Sequence, residues 1–388
     1  MNAQRAPAVE AMGKPNDGVR LVRDLEGLRA LKADWLRLEA EQDAAQAGFF
    51  QSYAWVEHVA RIRVAADPTF GILIAVGAAQ GRVRFLWPLA LVRQWGVAQA
   101  VMLDDTFGQF AGCLVEPGAD AGVFVEQVVS ALTGLADGLR VAHLPVSSPL
   151  RKGLVTAGAG VVATQSSVVV ERGDFASFAD FQHATSSKVR KSLRNARNRL
   201  ERTHETKQVS GTDAAVVSEA VSYAFTERVA WMKRNGRFTS AFQNPVFRSI
   251  IEEASEAGLP CLGFCLKAGQ GVASAQFGFH YRGRYYAYLS ALNPAFEEFS
   301  AGRLHLGMVI EDCFARGLKI LELMPPAGRY KLEWNGTIRN LDTLSLALSV
   351  RGRLLFTLID RVLPAMQRFS RHVPEFVRRP LVNLFNRN

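Results

Sequence analysis

Cysteine is scarce in this chain, with four in 388 residues. Cys113, Cys261, Cys265 and Cys313 all stand inside apolar strand or helix patterns. Cys261 and Cys265 are four apart with no flanking His or Cys cluster, so buried thiols are expected and a metal site is not. Long apolar runs are also missing, and none approaches the ~20 residues that span a bilayer. Residues 70–79 and 85–92 are apolar but short, and read as buried strands. The first 19 residues are polar and irregular, without the apolar centre of a secretory signal, which points to a flexible N-terminus and a cytoplasmic protein. Acidic residues are outnumbered, 36 against 46 basic, for a formal charge of +10. Anionic partners are therefore expected.

What is present describes a globular protein: 48% hydrophobic and 21% charged residues. Its length favours two domains. The densest run of signals lies between residues 259 and 334. Residues 262–267 and 273–281 read as adjacent strands joined at Gly269-Gln270-Gly271, and residues 285–292 as a third, aromatic strand. Ser300-Ala301-Gly302 then opens an amphipathic helix over 304–315, and residues 320–324 return as a buried strand. A strand, a small-residue turn and a helix N-terminus leave free backbone N–H groups that suit a pyrophosphate. That order suggests a transferase of the acyl-CoA kind, although small residues at such turns are also common without function.

The first half echoes this run. Residues 70–76 and 83–91 form a strand pair turning at Gln80-Gly81. Gly138-Leu139-Arg140-Val141-Ala142-His143-Leu144 matches Gly317-Leu318-Lys319-Ile320-Leu321-Glu322-Leu323 at an offset of 179 residues. An apolar helix precedes each. Duplication of one β-β-β-α-β unit explains the order better than chance recurrence of apolar strands.

Two segments concentrate positive charge. Residues 187–207 hold eight basic and two acidic side chains around a stripe of Val189, Leu193, Ala196 and Leu200, the spacing of a helix with one narrow apolar face. It is either a solvated face or a clamp for a phosphate-bearing substrate, with Arg190 and Arg194 as its leading members. It carries no stacking aromatics or known reading module, so DNA is not an expected partner. Residues 351–388 are again +6, with a broad apolar face interrupted by Pro364, Pro374 and Pro380. This tail reads as short helices docked on the second domain, or as a basic amphipathic segment on an anionic membrane.

Tyr330-Lys331-x-x-Trp334 follows a Pro-Pro-Ala-Gly turn just beyond a buried strand, where ligands gather in open α/β sheets. Lys331 there could hold a phosphate or stabilise an oxyanion, or be a surface lysine beside packed aromatics. Glu322 is a candidate carboxylate for a substrate amine. His280 and Tyr288, on strands beside the small-residue turn, are candidate acid or base groups.

Phe50-x-Ser52-x-x-Trp55, the run from Arg190 through Arg194 to Glu201, Arg228-x-x-Trp231 with Lys233, Ser300-x-Gly302 and Tyr330-Lys331-x-x-Trp334 together carry a resemblance. Over residues 49–350 the chain resembles the double-GNAT-domain acyltransferases of bacterial exopolysaccharide loci, of the cellulose-biosynthesis type. More distantly it resembles the Fem-type aminoacyltransferases that build peptidoglycan cross-bridges. The resemblance implies a mixed α/β (α+β) protein of two tandem GNAT folds, residues 20–170 and 171–350, with a basic helical insertion and the basic C-terminal tail. It implies metal-free transfer of an acyl group from acetyl-CoA or another acyl-CoA to an amine of an amino sugar or a lipid- or nucleotide-linked precursor. An aminoacyl-tRNA donor, as in Fem-type enzymes, and a non-catalytic scaffold are the alternatives. The tail could then take cyclic di-GMP or touch the inner membrane.

On this reading Ser300, Ala301, Gly302, Arg303 and Leu304 hold the donor. Lys331, the counterpart of the Fem-type lysine, stands with Tyr330, Glu322, His280 and Tyr288 at the reacting centre. Arg190, Arg194, Arg228, Trp231, Lys233 and Trp334 bind the acceptor. Two departures are visible: Glu297, Ser300 and Gly302 occupy the places of the usual Arg/Gln and paired glycines of the acyl-CoA loop, and Glu322-Leu323 replaces an Asp-Phe pair.

Overall fold

The computed structural model describes residues 17–42, 48–236 and 239–365. The tail from Met366 onward, including Arg368, Arg371, Arg378, Arg379 and Arg387, lies outside the described residues, as does most of the N-terminal segment.

The strands of the first half are β1 (Gly18–Val22), β2 (Gly71–Ala79), β3 (Arg82–Gln94), β4 (Val97–Met102), β5 (Leu114–Val115), β6 (Gly138–Pro145) and β7 (Gly160–Glu171). Those of the second are β8 (Thr206–Gly211), β9 (Cys261–Ala268), β10 (Gly271–Tyr281), β11 (Arg284–Leu292), β12 (Ile320–Glu322) and β13 (Thr337–Ala347). They join into one sheet in the order β1-β2-β3-β4-β6-β13-β7-β12-β11-β10-β9-β8, with β5 on β3. The expected repeat is visible in the element order. Helix Ala121–Leu132 leads to β6, as helix Ala301–Ala315 leads to β12.

The boundary at residue 170 does not describe how the sheet is closed. β13, from the second half, pairs with β6 of the first. β7, from the first half, pairs with β12 of the second. The two exchanged strands pair with each other along nine registered positions, from Thr337 opposite Val169 to Ser345 opposite Gly160. Each unit is thus completed by a strand of the other.

The helices form where local chemistry asks for them. Ser52 accepts from Trp55 N and caps helix Tyr53–Ala66, whose buried face includes Trp55, Val56 and Val59. Ser186 caps helix Ser187–Thr203, which buries Leu193, Ala196 and Leu200 and leaves most of its basic residues in solvent. One apolar cluster runs across both units, with Trp35, Phe49, Phe50 and Trp55 meeting Phe277 and Phe279. Phe49 stacks on Phe279 at 4.3 Å between ring centroids. The Phe50-x-Ser52-x-x-Trp55 motif is therefore a packing and capping device at the junction.

The beginning of the tail docks where the units join, on β4 of the first half and on β13 of the second. Ser349 Oγ donates to Asp137 at 2.6 Å, and a Cβ on Gly138 would come within 2.5 Å of the Phe356 ring. Arg140 pairs with Asp360.

Candidate active site

Parallel neighbours diverge at two places in the sheet. β11 and β12 pair only from Arg284 opposite Ile320 to Tyr286 opposite Glu322, while β11 continues to Leu292. β4 and β6 pair only at Gln99–Gly138 and Ala100–Leu139. At the first-unit fork the chain's own backbone binds the strand beyond the divergence: Ala111 N donates to His143 O at 3.0 Å. At the second-unit fork a cleft of ≈ 840 Å³ opens.

That cleft brings together much of what the sequence suggested. Ser300, Gly302, Arg303, Arg228, Trp231, Tyr288, Tyr330 and Lys331 all line it. Ser300 sits at φ 54° and opens helix Ala301–Ala315 without a side-chain cap. The backbone N–H groups of Arg303 and Leu304 return to Ser300 O, while Ala301 is fully buried, so that of Gly302, which lines the cleft, is the one available to a ligand. A Cβ on Gly302 would meet nothing nearer than Leu292 at 3.8 Å. Arg303 is held by Glu333 at 2.6 Å and reaches Ser192 of the basic helix at 3.4 Å.

Lys331 is 8% exposed. Its Nζ donates to Met324 O at 2.8 Å and Pro326 O at 3.0 Å, so it ties the turn after β12 and directs one remaining N–H elsewhere. Burial, with the Arg228 guanidinium adding to it, brings its pKa down to about 8. The Arg228 guanidinium lies 4.9 Å from the centre of the Trp231 ring. Burial pushes the Tyr330 hydroxyl above its ordinary value, so it keeps its proton at neutral pH.

Several candidates stand elsewhere or are already committed, each for a visible reason. Strand alternation turns Glu322 away from Leu321 and Leu323, which pack into the core beneath helix Ala301–Ala315. Glu322 instead binds Arg284 at 2.9 Å and Arg339 at 2.6 Å and lines a different cleft. His280 lies near the end of β10 outside both clefts, with burial and Arg316 lowering its pKa. The Tyr288 hydroxyl is committed to Phe107 O at 2.8 Å, and burial holds its pKa far above the ordinary range, so it is a poor proton donor to substrate. Trp334 is a core residue, 2% exposed. Ala301 and Leu304 are buried beneath the turn. Arg190 caps a neighbouring helix end through His183 O and Thr185 O. Arg194 and Lys233 are exposed on helix surfaces away from the cleft.

The cleft also contains groups that the motif reading passed over. Thr106, Gln109 and His143 come from the first unit, and His305 from inside the apolar helix. The Ser274 hydroxyl donates to Ala291 O at 3.0 Å, so it accepts from His305 Nδ1 at 2.9 Å. His305 Nε2 is then an unprotonated acceptor with no partner. Burial takes the pKa of His305 to about 3 and lowers that of His143, so both imidazoles are neutral at pH 7. Their signal in sequence was slight: single histidines in apolar context, with partners far along the chain. Among the described residues no group of three or more His, Cys, Asp or Glu side chains is placed to hold a metal ion, and no helix is long and apolar enough to cross a membrane.

Residues 187–332 match the family model for an acetyltransferase (GNAT) domain. No curated protein matches the chain in sequence. Among solved structures the chain is similar to FemX, with 10% identity, a TM-score of 0.57, and coverage of 86% of this chain and 98% of that one. It is also similar to the C-terminal domain of a putative lysylphosphatidylglycerol synthetase from Agrobacterium fabrum, with 11% identity, TM-score 0.53 and coverage of 87% and 96%. A tandem GNAT protein from the clavulanic acid biosynthesis pathway gives 12% identity, TM-score 0.52 and coverage of 85% and 99%. The open fork, the uncapped helix and the matched segment coincide: residues 187–332 match a GNAT acetyltransferase domain, and the chain as a whole has the fold of a tandem GNAT protein.

Proposed function

We propose that the chain transfers an acyl group from acetyl-CoA, or another acyl-CoA, to an amine on a phosphate-bearing acceptor. The amino sugars used to build exopolysaccharide or other cell-surface polymer are the acceptor class we favour. The observation that carries this reading is the uncapped N-terminus of helix Ala301–Ala315, which opens into the same cleft as Lys331 and Arg228. A pyrophosphate there meets the free N–H of Gly302 at the positive end of the helix dipole. The acyl chain would run into the fork between β11 and the segment after β12.

In the transfer the amine attacks the thioester carbonyl, a C–N bond forms, and the C–S bond breaks as the thiolate leaves. Holding both reactants in one cleft supplies the larger part of the rate gain. Lys331 stabilises the developing oxyanion or a phosphate of the acceptor. The proton lost by the amine has neutral His143 as an acceptor in the cleft. Tyr330, protonated at pH 7, can supply the thiolate. The protein would work in the cytoplasm, with its tail at the inner membrane or on an anionic nucleotide such as cyclic di-GMP.

A second reading, an aminoacyl-tRNA donor, is favoured by the likeness to FemX and by the exposed arginines of helix Ser187–Thr203. Calorimetric titration with acetyl-CoA, beside the Gly302→Trp variant, separates the two. Binding that the variant loses supports the acyl-CoA donor at this turn. Absence of binding by the wild type, with retention of aminoacyl-tRNA in a filter assay, replaces it with the second reading.

A further inference from the structure

Six buried side-chain polar atoms among the described residues have no hydrogen-bond partner. Five belong to residues that line a cleft. Thr106, Glu227 and His305 are in the larger one, while Gln42 Oε1 and Glu322 Oε2 are in a second cleft of ≈ 660 Å³ that shares no lining residue with the first. Orphaned acceptors are rare in folded interiors, and their concentration at concavities marks places where a ligand supplies the missing donors.

At the second cleft, Arg284 and Arg339 both donate to Glu322 Oε1, at 2.9 and 2.6 Å. The other carboxylate oxygen is left bare although the residue is only 1% exposed. A cluster serving only to tie β11, β12 and β13 together would use both oxygens. Instead, two guanidiniums crowd one oxygen, and Arg339, with a third of its side chain exposed, reaches the open space. Glu41 and Glu116, which also line the cleft, do not neutralise this charge: they are held by Arg37, Arg82 and Arg84. The site therefore offers a forked cation for an anion beside two acceptors awaiting O–H or N–H donors. Gln51, whose amide is already spent on Phe110 O at 2.7 Å, and the Tyr286 ring complete the wall.

We propose that this cleft is a second ligand site, separate from the donor site, for a small anion on a hydroxyl-bearing framework. The anionic group would sit on Arg339 with Arg284 beneath it. A neighbouring hydroxyl would donate to Glu322 Oε2 and another to Gln42 Oε1. A sugar acid and a sugar phosphate share this chemistry.

The test is calorimetric titration of the full chain with glucuronate, glucose 6-phosphate and, as neutral control, glucose. The expected result is binding of at least one anionic sugar tenfold or more tighter than glucose. Binding by glucuronate alone assigns a carboxylate, and by glucose 6-phosphate alone a phosphate. Arg339→Gln should weaken it at least tenfold. So should Ser147→Trp, which obstructs the mouth from an exposed position and leaves the ionic floor intact. Both variants should bind acetyl-CoA as the wild type does, so failure at the donor turn and failure here are read separately. Binding of neither anionic sugar above glucose, or wild-type binding in both variants, overturns the assignment.

Discussion

The indole of Trp334 lies against the backbone of Gly307, so that a Cβ at the glycine would come within 2.7 Å of the ring. The contact locks the short helix Arg329–Leu332, which bears Lys331, onto helix Ala301–Ala315, whose N-terminus lies at the Ser300 turn. Trp334 thus acts on the site by fixing its spacing. That is a role for the last residue of the Tyr-Lys-x-x-Trp motif different from the substrate contact expected of it.

Gly307→Ala sets two effects against each other. A helix-interior alanine gains about 1 kcal/mol over glycine, while overpacking costs about 1–3 kcal/mol. We expect a net loss of roughly 1 kcal/mol in denaturant unfolding, with weaker acetyl-CoA binding because the indole must move. Unchanged stability and donor affinity would remove the spacing role.

Lys331 gives a pH signature. Its folded pKa of about 8 lies below the ordinary 10.5, so between those values the folded state holds fewer protons than the unfolded one. Stability should therefore rise from pH 8 to pH 10.5 relative to Lys331→Met, by up to about 3 kcal/mol. CoA release should fall over the same rise as the cation is lost. Lys331→Arg should push that limb beyond pH 10. Lys331→Ala should lower turnover about 10²–10³-fold, the scale of one lost oxyanion donor.

Asp104 runs in the opposite direction. It accepts from Trp55 Nε1 at 2.8 Å, and burial raises its pKa from 3.8 to about 7. Between those values the folded state holds the extra proton, so its stabilisation is complete below pH 3.8 and lost as pH rises through 7. Against Asp104→Asn, wild-type stability should decline by about 4 kcal/mol from pH 4 to pH 7.5. Urea midpoints for both proteins across that range decide it, and parallel curves would contradict it.

Removing Glu322 takes a shared carboxylate from two guanidiniums, one of them with a side chain only 8% exposed. Glu322→Ala should cost about 3–5 kcal/mol. Glu322→Gln, which keeps an acceptor, should cost less. Equal losses in the two variants would mean that the charge is irrelevant.

The local elements were legible because each depends on neighbours in sequence. The stripe Val189, Leu193, Ala196 and Leu200 announces helix Ser187–Thr203, and the apolar runs around Gly269-Gln270-Gly271 announce β9 and β10. Ser300 and Gly302 were legible as a turn, and Lys331 by its place after the Pro-Pro-Ala-Gly turn. Glu322 precedes Lys331 by nine residues, but nearness in sequence is not nearness in space. The two-residue period of a strand already sends it to the opposite face from Leu321 and Leu323. His305 and Ser274 were hidden because their bond joins residues 31 apart. The exchange of β7 and β13 was hidden for a similar reason: the repeated strands have alike apolar patterns, and pattern alone cannot say which sheet each will close.

That exchange has a consequence for how the chain is made. A ribosome releases the first unit's own strands early, yet β6 waits for β13, whose last residue is Ala347. Nearly the whole polypeptide must emerge before either half acquires its full complement of neighbours. A nonsense codon anywhere ahead of residue 337 would spoil both halves together, with the edge of β6 left bare to chaperones or to aggregation.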